Sequence, residues 1–226
     1  MQLYTFHQSG SAYRVRIALN LKGIAYKPIF VRGGPGSQEL RSPAYLQVNP
    51  QGVVPALMHG GRVLLQSVAI IEYLDDVVPT PRLLPAEAAG RERVRALAQL
   101  VTSDIHPLIT ARVLNFPARD LLLPQEGQQA WLKHWIEQGL QILETLLAGH
   151  PETGVYCHGD EPTLADVCLV PQVHTARRFG CDVSAFATIE RINEHCLRQP
   201  AFQLAAPENQ PDAPARTISR LPHDPA

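Results

Sequence analysis

Three short segments of this sequence combine residue types able to hold an anion. The first is Ser9-Gly10-Ser11, which precedes a run in which Val15, Ala18, Leu19 and Lys22 follow helical spacing. The first turn of a helix exposes unpaired N–H groups and carries the positive end of the helix dipole. A hydroxyl there can donate to an anion, and Gly10 lets a ligand approach the backbone closely. A thiolate would be stabilised at that point, because helix N-termini lower thiol pKa values from about 8.5. By spacing alone an ordinary N-cap role for Ser9 or Ser11 leads, since serine is a preferred cap. The second segment is Val53-Val54-Pro55, where a cis proline could present the Val54 backbone to an extended peptide. Only about 5–6% of X–Pro bonds are cis, so the tripeptide alone reads as a trans turn. The third is Gln66-Ser67, at the start of another helical pattern, where a carboxylate could bind by the same logic or Ser67 could simply cap.

The elements that must position these segments follow from periodicity. Residues 2–6 alternate as a strand, the helix from Ser9 stops at Gly23, and Ile24, Tyr26 and Val31 read as a second strand, with Pro28 pointing to a sheet edge. Gly33-Gly34-Pro35-Gly36 reads as loop, and the chain turns again at Asn49-Pro50-Gln51-Gly52. Two apolar runs around Gly60-Gly61 predict a β-hairpin. Ile70, Ile71, Leu74 and Val78 form the apolar face of the helix that follows. The first 80 residues therefore read βαβ then ββα, a parallel crossover joined to an antiparallel hairpin.

Residues 79–85 (Pro-Thr-Pro-Arg-Leu-Leu-Pro) read as a linker over 81–86, and everything beyond is helical. Val94, Leu97, Ala98, Val101 and Ile105 share one face; Leu132, Trp135, Ile136, Gly139, Leu143 and Leu147 share another. Thr163-Leu164-Ala165-Asp166 is a capping box with Asp in place of Glu, opening a helix toward Arg178 that Pro171 should kink. A last helix is expected from Ile189 to Leu197, closing a helical domain over 87–208, and residues 209–226 read as a disordered tail.

Composition narrows the function classes. The chain has 226 residues, 45% of them hydrophobic, and a formal net charge of -1. That balance describes a globular protein and gives no basic face for nucleic acid. The first residues lack a basic and apolar leader, and no apolar run approaches the ~20 residues of a membrane span. The four cysteines, at 157, 168, 181 and 196, form no Cys-x-x-Cys pair, so neither a metal site nor a disulfide framework is expected. A cytoplasmic location follows as an expectation from these absences.

Taken together the segments resemble the zeta-class glutathione transferases. Ser9-Gly10-Ser11-Ala12-Tyr13-Arg14-Val15-Arg16-Ile17-Ala18-Leu19 is similar to the opening signature of that family. The segments from Asn49 to Leu57 and from Gln66 to Leu74 are similar to its glutathione site, and residues 79–85 and 163–166 also fit. The resemblance spans roughly residues 1–208 and implies a thioredoxin-like N-terminal domain, an all-α C-terminal domain, a homodimer and glutathione as cofactor. By the same resemblance Ser9 would orient the glutathione thiolate, with Gly10 and Ser11 beside it. Gln51, Val54, Pro55, Gln66 and Ser67 would hold the tripeptide, and Asp104 and His106 would face the cleft from the second domain.

Family members include maleylacetoacetate and maleylpyruvate isomerases, whose small anionic substrates carry a cis double bond conjugated to carbonyls. The resemblance therefore implies cis–trans isomerisation of maleylacetoacetate, with three alternatives: maleylpyruvate isomerisation, a broader glutathione transferase or dehalogenase activity, and a non-catalytic glutathione-binding role. Substrate carboxylates call for arginine, whose fork matches them in two contacts. Arg177 and Arg112 are the expected holders; Arg178 lies about 100° around the helix from Arg177 and is not expected in the same pocket. Gln8 stands where relatives commonly carry arginine, so that contact would lack its charge here.

Overall fold

In the computed structural model, residues 1–33 and 37–214 are described. Strand β1 (Gln2–Thr5), helix α1 (Gly10–Leu21) and strand β2 (Lys27–Phe30) form the expected parallel crossover. After a 3₁₀ turn (Glu39–Arg41), helix α2 (Pro43–Val48) precedes the hairpin of β3 (Ala56–His59) and β4 (Arg62–Leu65). Helix α3 (Ser67–Val77) closes the unit. The sheet order is β2-β1-β3-β4, which leaves Pro28 on an edge strand, where its missing N–H breaks no inner ladder. Gly60 and Gly61 both have positive φ, 55° and 76°, as a two-residue type I′ turn requires. Helix α2, capped by the Ser42 hydroxyl, was not anticipated: six residues are too few to show a helical period.

Helices α4 (Ala88–Gln99), α5 (Ala111–Arg119), α6 (Gln125–Leu147), α7 (Leu164–Arg178), α8 (Ala187–Arg198) and α9 (Pro200–Ala205) build the remainder. The capping box at Thr163 and Asp166 forms as expected, and α7 runs through Pro171 to Arg178. Between α4 and α5 lie a π-helical stretch (Leu100–Ile105) and a 3₁₀ turn (His106–Ile109). One apolar core runs through both halves, from Leu3, Val15 and Ile70 to Leu97, Ile136, Val173 and Phe202. Helix α1 is its hub, packed against α3, α7 and α9.

Two segments are held more closely than their composition suggests. Residues 79–85 are fastened to the unit before them. Lys22 Nζ donates to Asp75 Oδ1 (2.8 Å) and to the carbonyls of Val78 and Pro81, while the Asp75 carboxylate accepts from the N–H groups of Leu83 and Leu84. Leu83 and Leu84 are buried beneath this clasp. The chain after α9 is also ordered further than expected: the 3₁₀ turn at Pro207–Asn209 leads to Asp212, whose carboxylate accepts from the His7 N–H at 2.9 Å. That contact fastens the chain end to the residue two before Ser9. Residues 34–36 of the expected Gly-rich loop and residues 215–226 of the expected tail lie outside the described residues.

Candidate active site

The extended backbone of Ser9 (φ -71°, ψ 113°) makes it the N-cap of α1, and its Oγ accepts from Ala12 N at 3.2 Å. A hydroxyl has one proton and two lone pairs, so the cap contact leaves the Ser9 proton free to donate outward. The capping role and the chemical role are therefore compatible. No acidic residue occupies the first turn of α1, and none occupies that of α3, so neither positive helix end is neutralised locally.

The sequence offers Ser67 as the cap of α3, but in the structure it is the first helical residue. Gln66 holds the cap position in a left-handed conformation (φ 68°), which is rare outside glycine. This turn swings the Gln66 amide toward Gln51, to which it donates at 3.0 Å. Ser67 is buried and its Oγ accepts from Arg14 Nη1 at 3.4 Å. The Val54–Pro55 bond is cis. Among the described residues neither the N–H nor the C=O of Val54 enters a hydrogen bond, while the adjacent Val53 carbonyl accepts from Tyr45 and Asn49. The Val54 backbone is thus unpaired, the condition an incoming extended peptide needs, and Val54 packs in one buried cluster with Ala12 of α1.

The second half of the chain reaches this point through His106. Its Nε2 lies 3.0 Å from Ser11 Oγ, and a methyl group added to Gly10 would meet its ring at 3.5 Å and Thr175 Oγ1 at 3.7 Å. Gly10 therefore sits where α1, α7 and the turn after α4 converge. The π-helical stretch aims His106 inward, and the turn is held by Trp131 Nε1 donating to the Leu108 carbonyl. Gly139 has a reason invisible in the sequence: the Ile105 side chain occupies the space its Cβ would fill. Asp104 is exposed and makes no hydrogen bond among the described residues.

Burial, and then the Arg14 guanidinium, push the His106 imidazole down to about 3, so it is neutral at physiological pH. The unfolded chain binds a proton at this histidine below its ordinary value of 6.5, whereas the folded chain does not. Stability from this group is therefore full above pH 6.5 and is lost as pH falls toward 3. A His106→Gln variant should lose less melting temperature than the parent chain over that interval, read by thermal unfolding at successive pH values. Equal slopes would show that His106 is as easily charged in the fold as outside it.

The chain brings no nucleophilic thiol of its own to this place. All four cysteines are free and buried, and burial pushes the thiols of Cys157, Cys168 and Cys196 upward, Cys168 to about 11. Among the described residues no cluster of His, Cys, Asp or Glu is arranged to hold a metal.

The candidate arginines occupy different settings. Arg177 is exposed and committed to an ion pair with Glu190 on α8. On the same helix His174 packs edge-on against Tyr13 of α1 and Thr175 lies beside Gly10, so that face looks toward the site. Arg178, three and four residues further, continues that face, its guanidinium over the Phe179 ring. Arg112 is exposed at the start of α5, and Gln8 is exposed just before Ser9; neither has a partner among the described residues.

A thioredoxin-like sheet unit whose first helix end faces an all-helical partner is the architecture of glutathione transferases. Residues 3–82 match the family model "Glutathione S-transferase, N-terminal domain", and residues 125–180 match "Glutathione S-transferase, C-terminal domain". The chain is 47% identical over 216 residues to the maleylacetoacetate isomerase of Pseudomonas aeruginosa, covering 95% of this chain and 100% of that one. A solved maleyl pyruvate isomerase, described as a bacterial glutathione-S-transferase in the zeta class, superposes with a TM-score of 0.91 at 46% identity, covering 95% of this chain and all of that one. A solved maleylacetoacetate isomerase from Methylobacterium extorquens AM1, with bound malonate and GSH, gives a TM-score of 0.91 at 41% identity over the same shares. The chain belongs to the glutathione S-transferase family, within its zeta class.

Proposed function

We propose that this protein is a glutathione-dependent cis–trans isomerase acting on maleylacetoacetate. The observation that carries the reading is a pair of un-neutralised helix N-termini tied together by the Arg14–Ser67 contact, with the Ser9 hydroxyl at the first and the unpaired Val54 residue packed in one cluster with Ala12 of α1. That arrangement fits a small anionic peptide with a thiol, and the chain offers no thiol of its own in reactive form. Relatives solved with GSH and malonate support both halves of the reading.

Glutathione, when bound, would supply a thiolate for reversible addition to the cis double bond, so that the carbon–carbon bond can rotate before the thiolate is expelled unchanged and the double bond re-forms as trans. Ser9 donates its free proton to the sulfur, and the α1 dipole favours the anionic form. Val54 pairs with the peptide backbone beside Pro55, while Gln51, Gln66 and Ser67 take its γ-glutamyl end. Neutral His106 holds the Ser11 hydroxyl at the floor of the cleft. Arg178, on the face of α7 toward α1, replaces the expected Arg177 as the carboxylate holder, with Arg112 as its partner. Both also stabilise the negative charge that develops on the substrate oxygen. Asp104 remains at the rim. Residues 1–80 form the glutathione unit and 87–208 the substrate unit; a cytoplasmic homodimer completes the proposal. Among the described residues no helix is long and apolar enough to cross a membrane.

Purified protein with glutathione is expected to convert maleylacetone, followed by loss of its cis-enol absorbance, with total glutathione unchanged. Consumption of glutathione would transfer the assignment to group transfer. Absence of glutathione-dependent turnover on either maleylacetone or maleylpyruvate would end the isomerase reading. The uncharged Gln8 makes the comparison of those two substrates informative, since they place their carboxylates differently.

A further inference from the structure

Helix α1 carries two buried arginines two residues apart, and they are not alike. Each nitrogen of Arg16 has an acceptor: it donates to the carbonyls of Ala205, Phe6 and His7 and to Thr5 Oγ1, tying α1 to the chain on both sides. Arg14 is equally buried, 2% exposed, yet among the described residues it makes a single side-chain hydrogen bond, Nη1 to Ser67 Oγ at 3.4 Å. Among those residues its Nε has no partner and it enters no ion pair. The groups that face it are Ser67 on α3, His106 in the turn after the π-helical stretch and Cys168 on α7. The imidazole is held neutral and the thiol protonated, so neither supplies a negative charge at neutral pH. A buried cation left without an anion is costly, and folds retain one where something else provides the charge.

We infer that Arg14 is a positioning residue of the glutathione site: its guanidinium grips the Ser67 oxygen and turns that hydroxyl proton toward the ligand, and the anionic tripeptide supplies the missing counter-charge. The inference rests on the reading of this site as a glutathione site. Ser67 Oγ has two lone pairs and one proton; with one lone pair occupied by Arg14, the proton is directed away from the guanidinium, outward from the α3 N-terminus. The positive charge adds to that of the two helix ends without touching the ligand.

Isothermal titration of the full chain with glutathione and with S-methylglutathione tests this. The methylated form keeps both carboxylates and has no ionisable thiol. Arg14→Gln should weaken both ligands about tenfold or more, the scale of a lost hydrogen bond to a charged group, and by similar factors. Arg14→Lys, which keeps the charge without the fork, should fall between. Ser67→Ala should weaken binding in the parent chain but add less than about threefold in the Arg14→Gln background, because the two residues act through one contact. Affinities within twofold of the parent in a folded Arg14→Gln protein, or fully additive effects, would overturn the inference and leave Arg14 a packing residue. Should Arg14→Gln not fold, the same cycle in the Arg14→Lys background decides, again by non-additivity with Ser67→Ala. A parent chain that binds neither ligand sinks the underlying site reading itself, an outcome distinct from a variant-specific loss.

Discussion

Replacing Ser9 by alanine lowers glutathione-dependent kcat/KM by one to two orders of magnitude, while the protein stays folded. The Ser9 oxygen spends one lone pair on Ala12 N and keeps its proton for the sulfur. A hydrogen bond to a charged group is worth about 1.5–3 kcal/mol, which is roughly tenfold to more than a hundredfold in affinity for the thiolate form. The bound thiol pKa should rise by about one to two units, since one unit corresponds to about 1.4 kcal/mol of differential interaction. The same change removes an N-cap, costing about 1 kcal/mol of stability. Ser9→Gly separates the two effects, because glycine at a cap costs only a few tenths of a kcal/mol while the hydroxyl is equally absent. Thiolate absorbance of the enzyme–glutathione complex, titrated with pH, gives the shift directly. If Ser11→Ala costs more than Ser9→Ala, the roles of the two hydroxyls are reversed, and the His106 contact at 3.0 Å becomes the centre of the chemistry.

Replacing Asp75 by alanine produces the largest expected loss of stability. Lys22, whose side chain is 0% exposed, is then left in the interior with only the carbonyls of Val78 and Pro81 for partners. The N–H groups of Leu83 and Leu84 lose their acceptor at the same time. Removing one member of a buried pair typically costs about 3–5 kcal/mol. In a chain of this length each kcal/mol lowers the melting temperature by roughly 2–4 °C, so a fall of about 6–20 °C is expected in a thermal scan. Asp76, the exposed neighbour, is the control; its replacement by alanine should stay within about 0.5 kcal/mol of the parent. Equal effects at both positions would show that the clasp over residues 79–85 contributes nothing specific.

Much of this protein was legible one segment at a time. Strand alternation over residues 2–6, the Gly23 stop, the Gly60-Gly61 hairpin and the capping box at Thr163 and Asp166 all depend on neighbours within a few residues, and all appear in the structure. The segments around Ser9, Val54 and Gln66 were identified by type and by likeness to a family, because an anion site at a helix end needs only a local run of backbone. What the sequence could not determine depends on partners far along the chain. Arg177 and Arg178 are neighbours of identical type, and only the fold shows that the first is paired with Glu190 on α8 while the second lies over the Phe179 ring. Arg14 and Arg16 look interchangeable in a helical pattern, and only the Thr5 hydroxyl of β1, the carbonyls of the following turn and that of Ala205 in α9 show that one is satisfied and the other is not. Ser67 had every mark of a cap, yet the left-handed Gln66 took that position when α3 met the hairpin. Local chemistry is written in residue type and spacing; the charge state and direction of a buried side chain are set by which distant groups the fold packs against it.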